Sequence, residues 1–420
     1  MTDPALLTAT EAARRIKAGT LHPQALLEAC LARIADGEPR VRAFAHHDAE
    51  AVRQAQPRPG PLHGLPVGVK DVLDTADAPS QYGSPIWTGY RPKADAACVA
   101  WTRAAGGIVM GKTVTTEFAT RQPGPTSNPH NAGHTPGGSS SGSAAGVAAG
   151  FFPLAFATQT AGSIIRPAAY CGVVGYKPSF GLIPRLGMKI MSESLDTIGV
   201  IARAVADCAL FAGAISGHDL GNPDTTTGTA PRIGICLGPN GIDASPETLA
   251  LLEDATHRLA KAGAVLIRRP LPAIYDDLAV AQPLVMNAES AQSMGWELNT
   301  HRNAISEVLR DRLDWGAAQG GAALDAARET MTRLQACFPE VLDGIDILLT
   351  PSAPGEAPKG LEWTGDPVFN APWTALHVPC VTIPAGTGPS GLPLGLQIVG
   401  PRGGDRATLA WSQWIASALT

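Results

Sequence analysis

A run of glycine and serine directly before a long apolar segment constrains this chain more than any other feature. Residues 134–146 read HTPGGSSSGSAAG, and the text continues into VAAGFFPLAFA, which belongs in a protein interior. A flexible Gly/Ser linker has polar text on both sides, so the linker interpretation fails. A Gly/Ser loop fixed against a core indicates a place where the backbone approaches another group closely.

The rest of the chain supplies enough apolar text for one large core. Of the 420 residues, 45% are hydrophobic and 16% are charged, which argues against disorder. Strand-like apolar runs alternate with helical periodicity from residue 65 onwards, and this alternation predicts an α/β fold with helices on both faces of a sheet. The predicted helices lie at 5–55, 96–105, 143–150, 164–171, 245–262 and 322–338. The predicted strands lie at 65–75, 106–113, 153–163, 232–237, 264–269, 346–352, 380–386 and 395–401.

We expect a single domain over residues 1–420. Its catalytic core lies at about 60–205, and the C-terminal part, 206–420, completes the sheet and the substrate pocket. The polar, Gly- and Thr-rich text of 216–231 reads as a surface loop.

Charge and cysteine content limit the partners and the compartment. The net charge is −5, from 32 basic and 37 acidic residues, and no basic run stands out, so nucleic acid and membrane are not expected partners. Seven cysteines without a CxxC pair fit free thiols in a reducing compartment. Residues 1–20 read as an amphipathic helix rather than a signal peptide, and the most apolar stretch, 143–157, is too short to span a bilayer. We therefore expect a soluble cytoplasmic protein.

Two motif matches near this loop lack the structural context that they need. Gly106–Thr113 fits the phosphate-loop pattern GxxxxGK[ST], but its intervening residues are apolar and belong in a buried strand. Gly138–Gly142 fits the GxSxG nucleophile elbow, yet that elbow follows a strand directly, whereas residues 128–136 read as a loop. His377 is a late histidine that such a triad would need, and nothing else supports it.

A third interpretation joins three separate segments into one nucleophilic site. Lys70 lies in the apolar run GLPVGVKDVLD, where burial favours the neutral amine, and a neutral lysine is a competent general base. The loop at 137–142 supplies hydroxyls, and TQTAGSIIRP places Ser163 at a turn before a helix. The backbone N–H groups expected to face an oxyanion there are those of Thr160, Ala161, Gly162 and Ser163. A snorkelling Lys70, a helix-capping Ser163 and a merely structural loop are the alternatives, and these residues alone do not decide between them.

Together these segments resemble the amidase signature family. The matching text is GVKD at 68–71, GGSSSG at 137–142 and AGSIIR at 161–166, in the same order and with similar spacing. The resemblance continues to LPLGLQIVGP near the end and covers nearly the whole chain.

The resemblance implies a fold, a reaction and roles for individual residues. The fold is a twisted mixed β-sheet core covered by α-helices on both faces. Ser163 is the implied nucleophile, Ser139 the bridging serine after a cis peptide at Gly138, and Lys70 the base. The implied chemistry is amide hydrolysis through an acyl-enzyme, with no metal or organic cofactor. Because dimers occur in similar amidases, a homodimer is expected by analogy.

The chain departs from the commonest family text at three positions, none of which removes a catalytic group. Gln159 stands where many members have Asp, Ala161 replaces a Gly, and Arg166 follows the nucleophile by three residues rather than two. The text is most similar to the malonamidase branch, where the arginine matching Arg166 binds the free carboxylate of malonamate. A planar guanidinium suits this role. The alternative is that Arg166 pairs with an internal acid or caps backbone carbonyls.

The sequence hypothesis is thus an amidase that hydrolyses a small carboxamide, with malonamate-like monoamides as candidate substrates. A broader acyl or aryl amidase, or a carbamate hydrolase, is an alternative on the same machinery. A pocket lined by Tyr82, Trp87 and Trp373 would favour that alternative. An amidotransferase-type subunit that works with partners is a further possibility.

Overall fold

One mixed β-sheet organises the chain. The computed structural model describes residues 3–225, 229–239 and 243–420. Eleven strands are found in these ranges, and all of them belong to the same sheet. The strands are β1 (Phe44–His46), β2 (Pro66–Lys70), β3 (Ile108–Thr113), β4 (Leu154–Gln159), β5 (Val174–Lys177), β6 (Thr197–Ala202), β7 (Arg232–Ile235), β8 (Val265–Arg268), β9 (Ile347–Pro351), β10 (Cys380–Thr387) and β11 (Pro393–Val399).

The strand order shows two parallel groups joined by an antiparallel stretch. From edge to edge the order is β1-β3-β2-β4-β6-β5-β10-β11-β9-β7-β8. Strands β3, β2 and β4 run parallel to one another, as do β9, β7 and β8. The pairs between β4 and β9 are antiparallel. Strands from both predicted parts of the chain therefore share one sheet.

Helices pack on both faces of this sheet. The helices are α1 (Ala9–Lys17), α2 (Pro23–Val41), α3 (Ala49–Arg53), α4 (Ala97–Ala104), α5 (Ser141–Ala149), α6 (Ile165–Tyr170), α7 (Val205–Ser216), α8 (Pro246–Lys261), α9 (Leu278–Ser293), α10 (Gly295–Thr300), α11 (Glu307–Ala318), α12 (Gly320–Val341), α13 (Ala371–Ala375) and α14 (Asp405–Ala418). Ile347 and Leu349 of β9 pack with the cluster that holds α7 and α14, whereas Leu348 packs with α9 and α12. Because alternate residues of a strand face opposite sides, the two clusters cover opposite faces. The predicted α/β fold with a mixed sheet is confirmed.

Two regions differ from the sequence predictions. The helical stretch expected over 5–55 is interrupted by β1, a three-residue edge strand in which Phe44 and His46 pair with the end of β3. Residues 270–320, which carry no readable pattern, fold into helices α9 to α11. The predicted loop at 216–231 contains a 3-10 turn at Pro223–Thr225, and its residues 226–228 lie outside the described part of the chain.

The sheet determines where polar side chains meet. Because β2 and β4 are parallel neighbours, their carboxyl ends lie side by side, and ligands of such sheets bind beyond the carboxyl ends of the strands. Lys70 is the last residue of β2, and the turn at 160–163 follows β4 directly. In the described ranges, no helix is both long and apolar enough to cross a bilayer. A location in the cytoplasm stays a prediction.

Candidate active site

Lys70 is a fully buried lysine that faces hydroxyl groups. Its Nζ lies 2.7 Å from Ser139 Oγ and 2.7 Å from Thr158 Oγ1, and it donates a 3.3 Å hydrogen bond to the carbonyl oxygen of Thr158. Burial lowers the pKa of Lys70 well below its usual value, and the charge of Asp196 opposes this shift only in part. The side chain is therefore arranged as a neutral amine in contact with a serine hydroxyl.

The Gly/Ser loop is packed tightly against the core. The peptide bond between Gly138 and Ser139 is cis, in agreement with the resemblance. A Cβ on Gly142 would lie 2.0 Å from the carbonyl oxygen of Ala43, so only glycine fits at the start of α5. Ser140 Oγ donates a 2.5 Å hydrogen bond to the carbonyl oxygen of Ser163 and so joins the loop to the next segment. The close backbone approach predicted from the sequence is confirmed.

Ser163 lies at the turn between β4 and α6, where Gln159 holds the backbone. Gln159 Oε1 accepts hydrogen bonds from the N–H groups of Ile164 and Ile165 at 2.9 and 3.1 Å. The first N–H groups of a helix have no partner within the helix, and here the side chain of Gln159 accepts their hydrogen bonds. Gln159 Nε2 in turn donates to Thr374 Oγ1 at 2.9 Å. Glutamine in place of Asp at position 159 thus keeps an acceptor for the N–H groups at the start of α6 and adds a donor to Thr374 in α13.

The same turn presents backbone N–H groups near Ser163. The carbonyl oxygens of Thr160 and Ala161 accept hydrogen bonds from the side chains of Gln282 and Thr374 at 3.0 and 2.8 Å. Over the residues that the structure describes, the N–H groups of Ala161, Gly162 and Ser163 have no acceptor in the protein. A turn with fixed carbonyls and free N–H groups has the form that an oxyanion hole requires.

Asp196 is a buried carboxylate behind this turn. It accepts hydrogen bonds from the Thr160 hydroxyl at 2.5 Å and from the N–H groups of Met191 and Ser192 at 2.7 and 3.1 Å. Burial raises the pKa of Asp196 to about 6, and these hydrogen bonds act against the increase. Asp196 thus connects the turn after β4 to the electrostatic environment of Lys70.

A cavity opens onto Ser163. Ser163 is 9% exposed, whereas Ser139 is 1% exposed and Lys70 is inaccessible to solvent. The four residues predicted for the oxyanion site, 160–163, all line this cavity. Its other walls come from Ala119, Thr120, Arg121, Arg166, Met191, Met286, Asn287, Ser290, Leu309, Arg312, Leu313, Thr364, Gly365 and Pro367. Of the three predicted catalytic residues, only Ser163 lines the cavity, and Lys70 contacts Ser139 in the interior.

Arg166 lines the cavity and also supports the serine loop. Its Nη2 donates to the carbonyl oxygen of Gly138 at 2.7 Å and to Thr364 Oγ1 at 3.2 Å. Its Nε is buried and has no partner among the described residues. Burial lowers the pKa of Arg166 to about 10, which leaves it positively charged at neutral pH. The alternative in which Arg166 caps a backbone carbonyl is confirmed, and its role in substrate binding stays a prediction.

The structure also shows where the phosphate-loop match at 106–113 and the late histidine His377 lie. The phosphate-loop match at 106–113 contains β3, which pairs with β1 and β2, so it is a strand as expected. His377 Nε2 donates a 2.7 Å hydrogen bond to the carbonyl oxygen of Ser194, and burial lowers the pKa of His377 to about 4. It has no contact with the serine loop. In the described ranges, no group of three or more His, Cys, Asp or Glu side chains is arranged to hold a metal ion.

The aromatic lining considered for an aryl amidase is absent from this cavity. The Tyr82 hydroxyl donates to Asp74 at 2.7 Å, and Trp87 Nε1 donates to Glu297 at 3.0 Å. Trp373 is completely buried in the cluster under α12 and α9. None of the three is among the residues that line the cavity. The aromatic pocket that would favour an aryl amidase is therefore not found at this cavity, because Tyr82 and Trp87 pack together in one apolar cluster and Trp373 packs in another.

Comparisons with known proteins bear on the family and the fold of the chain. The model of a family described as "Amidase" matches residues 25–409. A glutamyl-tRNA(Gln) amidotransferase subunit from Chloroflexus aggregans is 34% identical, with 97% of this chain and 95% of the relative covered. A solved amidase structure has a TM-score of 0.89 and 28% identity, with 99% of this chain and all of that chain covered. The peptide amidase from Stenotrophomonas maltophilia has a TM-score of 0.80 and 29% identity, with 100% and 97% covered. The resemblance to the malonamidase branch is not confirmed by these matches.

Proposed function

The chain belongs to the amidase family, and from this premise we propose that it hydrolyses a small carboxamide to a carboxylate and ammonia or an amine. The observation that carries the proposal is the contact between Lys70 and Ser139 directly behind a cavity onto which Ser163 opens. Ser163 is the nucleophile, Ser139 the relay and Lys70 the base.

The order of burial supports a relay rather than direct action of the lysine. Lys70 has no access to the cavity, so it reaches the substrate only through Ser139. As Ser163 Oγ attacks the amide carbon, its proton passes to Ser139, and the Ser139 proton passes to neutral Lys70. The N–H groups of residues 161–163 stabilise the negative charge that develops on the carbonyl oxygen.

The second half of the reaction reverses the relay. Lys70 returns its proton through Ser139 to the amide nitrogen, and the C–N bond breaks to release ammonia or an amine. Water then attacks the acyl-enzyme, with the same relay as the base, and the acyl group leaves Ser163 as a carboxylate. Atoms and charge balance without any further reactant.

The positive cavity wall supports an acidic substrate. Arg166 lies three residues after the nucleophile and has an unpartnered buried Nε. A malonamate-like monoamide, whose carboxylate is close to the reacting carbonyl, is therefore the candidate that this site favours within the amidase class.

A second candidate function is the ammonia-releasing subunit of an amidotransferase. Similarity to amidotransferase subunits over 97% of the chain supports it. The two candidates differ in one measurable property, because an independent amidase is fully active as an isolated chain, whereas a subunit of this kind gains activity from a partner.

The test combines turnover with labelling of the nucleophile. Ammonia release from malonamate and from propionamide is measured for the wild-type protein, for Ser163→Ala and for Ser290→Ala, and each protein is treated with a fluorophosphonate and mapped by mass spectrometry. Ser290 is the control because it lines the same cavity, with its hydroxyl bonded to the carbonyl oxygen of Met286 at 2.6 Å. We expect Ser163→Ala to lose both turnover and labelling and Ser290→Ala to keep both. Full activity of Ser163→Ala would disprove the nucleophile assignment.

A further inference from the structure

The cavity in front of Ser163 has three arginines and no acidic residue in its wall. Arg121, Arg166 and Arg312 all line it, and Asp and Glu are missing from its lining. None of the salt bridges among the described residues involves any of the three. Three like charges around one cavity repel one another unless an anion lies between them.

Two of these arginines are independent of the serine loop. Arg312 lies on α11, and its only hydrogen bonds in the described ranges are those of Nε and Nη2 to Asn287 Oδ1, at 3.1 and 2.8 Å. Its partner is thus a neutral amide. Arg121 is exposed at the cavity mouth, and its charge, after the effect of burial, contributes to the lowered pKa of both Arg312 and Arg166. Arg121 and Arg312 also line a second cavity, which Asp366 lines too, so they lie where the two cavities meet.

The surface that accompanies these guanidinium groups is apolar. Met191, Met286, Leu309 and Leu313 line the first cavity. The first and second cavities share Ala161, Met286 and Pro367 in their walls as well as the two arginines, so the space beside Ser163 continues towards Arg121 and Arg312. An apolar passage with a cationic end is complementary to a methylene chain with a terminal carboxylate.

We propose that Arg312 and Arg121 form a second anion subsite, which binds the terminal carboxylate of an acyl chain longer than that of malonamate. The substrate class is then the monoamides of dicarboxylic acids with two or three methylene groups. This inference rests on the proposed amidase function. The inference takes ammonia as the leaving group, so the anionic group belongs to the acyl part.

The experiment separates binding from turnover. Glutarate, the product of glutaramate hydrolysis, is titrated calorimetrically into the Ser163→Ala protein and into the same protein carrying Arg312→Gln or Arg310→Gln. Arg310 is the matched control because it is two positions away on α11 and does not line the cavity. We expect Arg312→Gln to weaken glutarate binding about 10- to 100-fold, as for the loss of a charge-assisted hydrogen bond. Arg310→Gln is expected to weaken it less than about threefold, as for a screened surface charge.

Kinetics with wild-type Ser163 then tests the chain length. Succinamate and glutaramate are compared with the neutral amides butyramide and valeramide, and malonamate with propionamide. We expect Arg312→Gln to reduce kcat/KM for the two longer acids about 10-fold or more, and to leave the neutral amides and malonamate nearly unchanged. Arg121→Gln, at an exposed position, is a second variant that leaves the contact between Arg312 and Asn287 intact, and we expect it to reduce the same two values by a smaller factor.

Each outcome bears on one proposal only. Glutarate binding that is equal in the Arg312 and Arg310 variants, or that is absent from the Ser163→Ala protein, overturns the second anion subsite and leaves the amidase proposal intact. If fluorophosphonate does not label Ser163 in the wild-type protein, the amidase proposal is contradicted instead. Circular dichroism of every variant excludes unfolding as the cause of weaker binding.

Discussion

Two lysines at neighbouring strand ends are equally buried but have different surroundings. Lys70 ends β2, and Lys112 lies one position before the end of β3, where it is the register partner of Val69. Both side chains have no exposed surface. Lys112 Nζ lies 2.9 Å from Asp71 Oδ1 and donates to Ser80 Oγ at 2.5 Å, whereas Lys70 contacts only hydroxyl and carbonyl oxygens.

The difference shows that burial alone does not produce a general base. Burial lowers the pKa of both lysines, but at Lys112 the adjacent Asp71 carboxylate opposes the shift through its charge and a hydrogen bond. Lys70 has only the more distant Asp196. Lys112, which has an ion-pair partner, joins β3 to the segments that carry Asp71 and Ser80. Lys70 has no such partner among the described residues and is the one that we propose as the base.

The largest effect is expected from removal of the unpaired lysine. Lys70→Met should lower kcat/KM about 10³- to 10⁴-fold, because Ser139 then has no proton acceptor. The free energy of unfolding should change by less than about 2 kcal/mol, the cost of two unpaired hydroxyl groups. Steady-state kinetics and urea denaturation at pH 7 measure the two quantities on the same protein. Activity within tenfold of the wild type would remove Lys70 from the relay.

The opposite pattern is expected from removal of the paired lysine. Lys112→Met leaves the Asp71 carboxylate buried without its counter-charge, and the free energy of unfolding should fall by about 3–5 kcal/mol. The double variant Lys112→Met, Asp71→Asn should recover part of this loss, since it removes the unpaired charge. Urea denaturation of both variants provides the measurement. If the double variant is no more stable than the single one, the ion pair is not the reason for the loss.

The smallest effect is expected from removal of the charge of Asp196, and it appears in the pH dependence of kcat/KM. Because the proposed base is the neutral form of Lys70, kcat/KM should fall as the pH drops through the depressed pKa of this lysine. The Asp196 carboxylate favours the protonated lysine, so Asp196→Asn should lower the pKa of Lys70 further and move the decline to lower pH.

Profiles of kcat/KM from about pH 5 to 9 test this shift. Glu193→Gln is the matched control, because Glu193 is an exposed carboxylate on the same segment, bridged to Arg185 at 3.6 Å. Glu193→Gln should leave the profile in place. A shift to higher pH in Asp196→Asn, or a flat profile in the wild type, would contradict a lysine base.

The depressed pKa of Lys70 also makes the free energy of unfolding depend on pH. Lys70 has a lower pKa in the folded protein than in the unfolded chain, so the unfolded state binds more protons between the two values. The contribution of Lys70 to stability therefore decreases as the pH falls through this window. Lys70→Met should remove this part of the pH dependence.

The central residues of the site could be predicted because each lies in a short local motif. Lys70, Ser139 and Ser163 stand in segments whose composition already requires a buried or tightly turned backbone, and the structure places Lys70 and Ser139 in contact. The β-strand at 106–113 was predictable for the same reason. The fold class followed from the alternation of strands and helices along the chain.

The supporting residues could not be predicted, because their positions depend on strand order and register. Thr158 contacts Lys70 only because β4 is the parallel neighbour of β2. Asp196 reaches the turn after β4 from the segment before β6, which pairs with β4 in antiparallel register. A three-residue edge strand such as β1 carries too few side chains for a period of two to be recognised.

The cavity wall was equally hidden from the sequence. Arg121 and Arg312 are separated by nearly half of the chain. Residues of α9 and α11 line the cavity, so parts of the surfaces of these helices face it instead of the core. The aromatic side chains of Tyr82, Trp87 and Trp373 pack in apolar clusters instead of lining this cavity.

The separation between reacting groups and enclosing walls has a consequence for how such a chain diversifies. The residues of the proposed relay and the turn at 160–163 belong to the first half of the sequence, whereas α9, α11 and residues 364–367 contribute cavity walls from the second half. Substitutions in those later segments alter the space around the acyl group and leave the relay intact. Natural sequence variation, or a mutant library confined to Met286, Leu309 and Leu313, therefore changes which substrates fit the cavity and leaves the reacting groups unchanged.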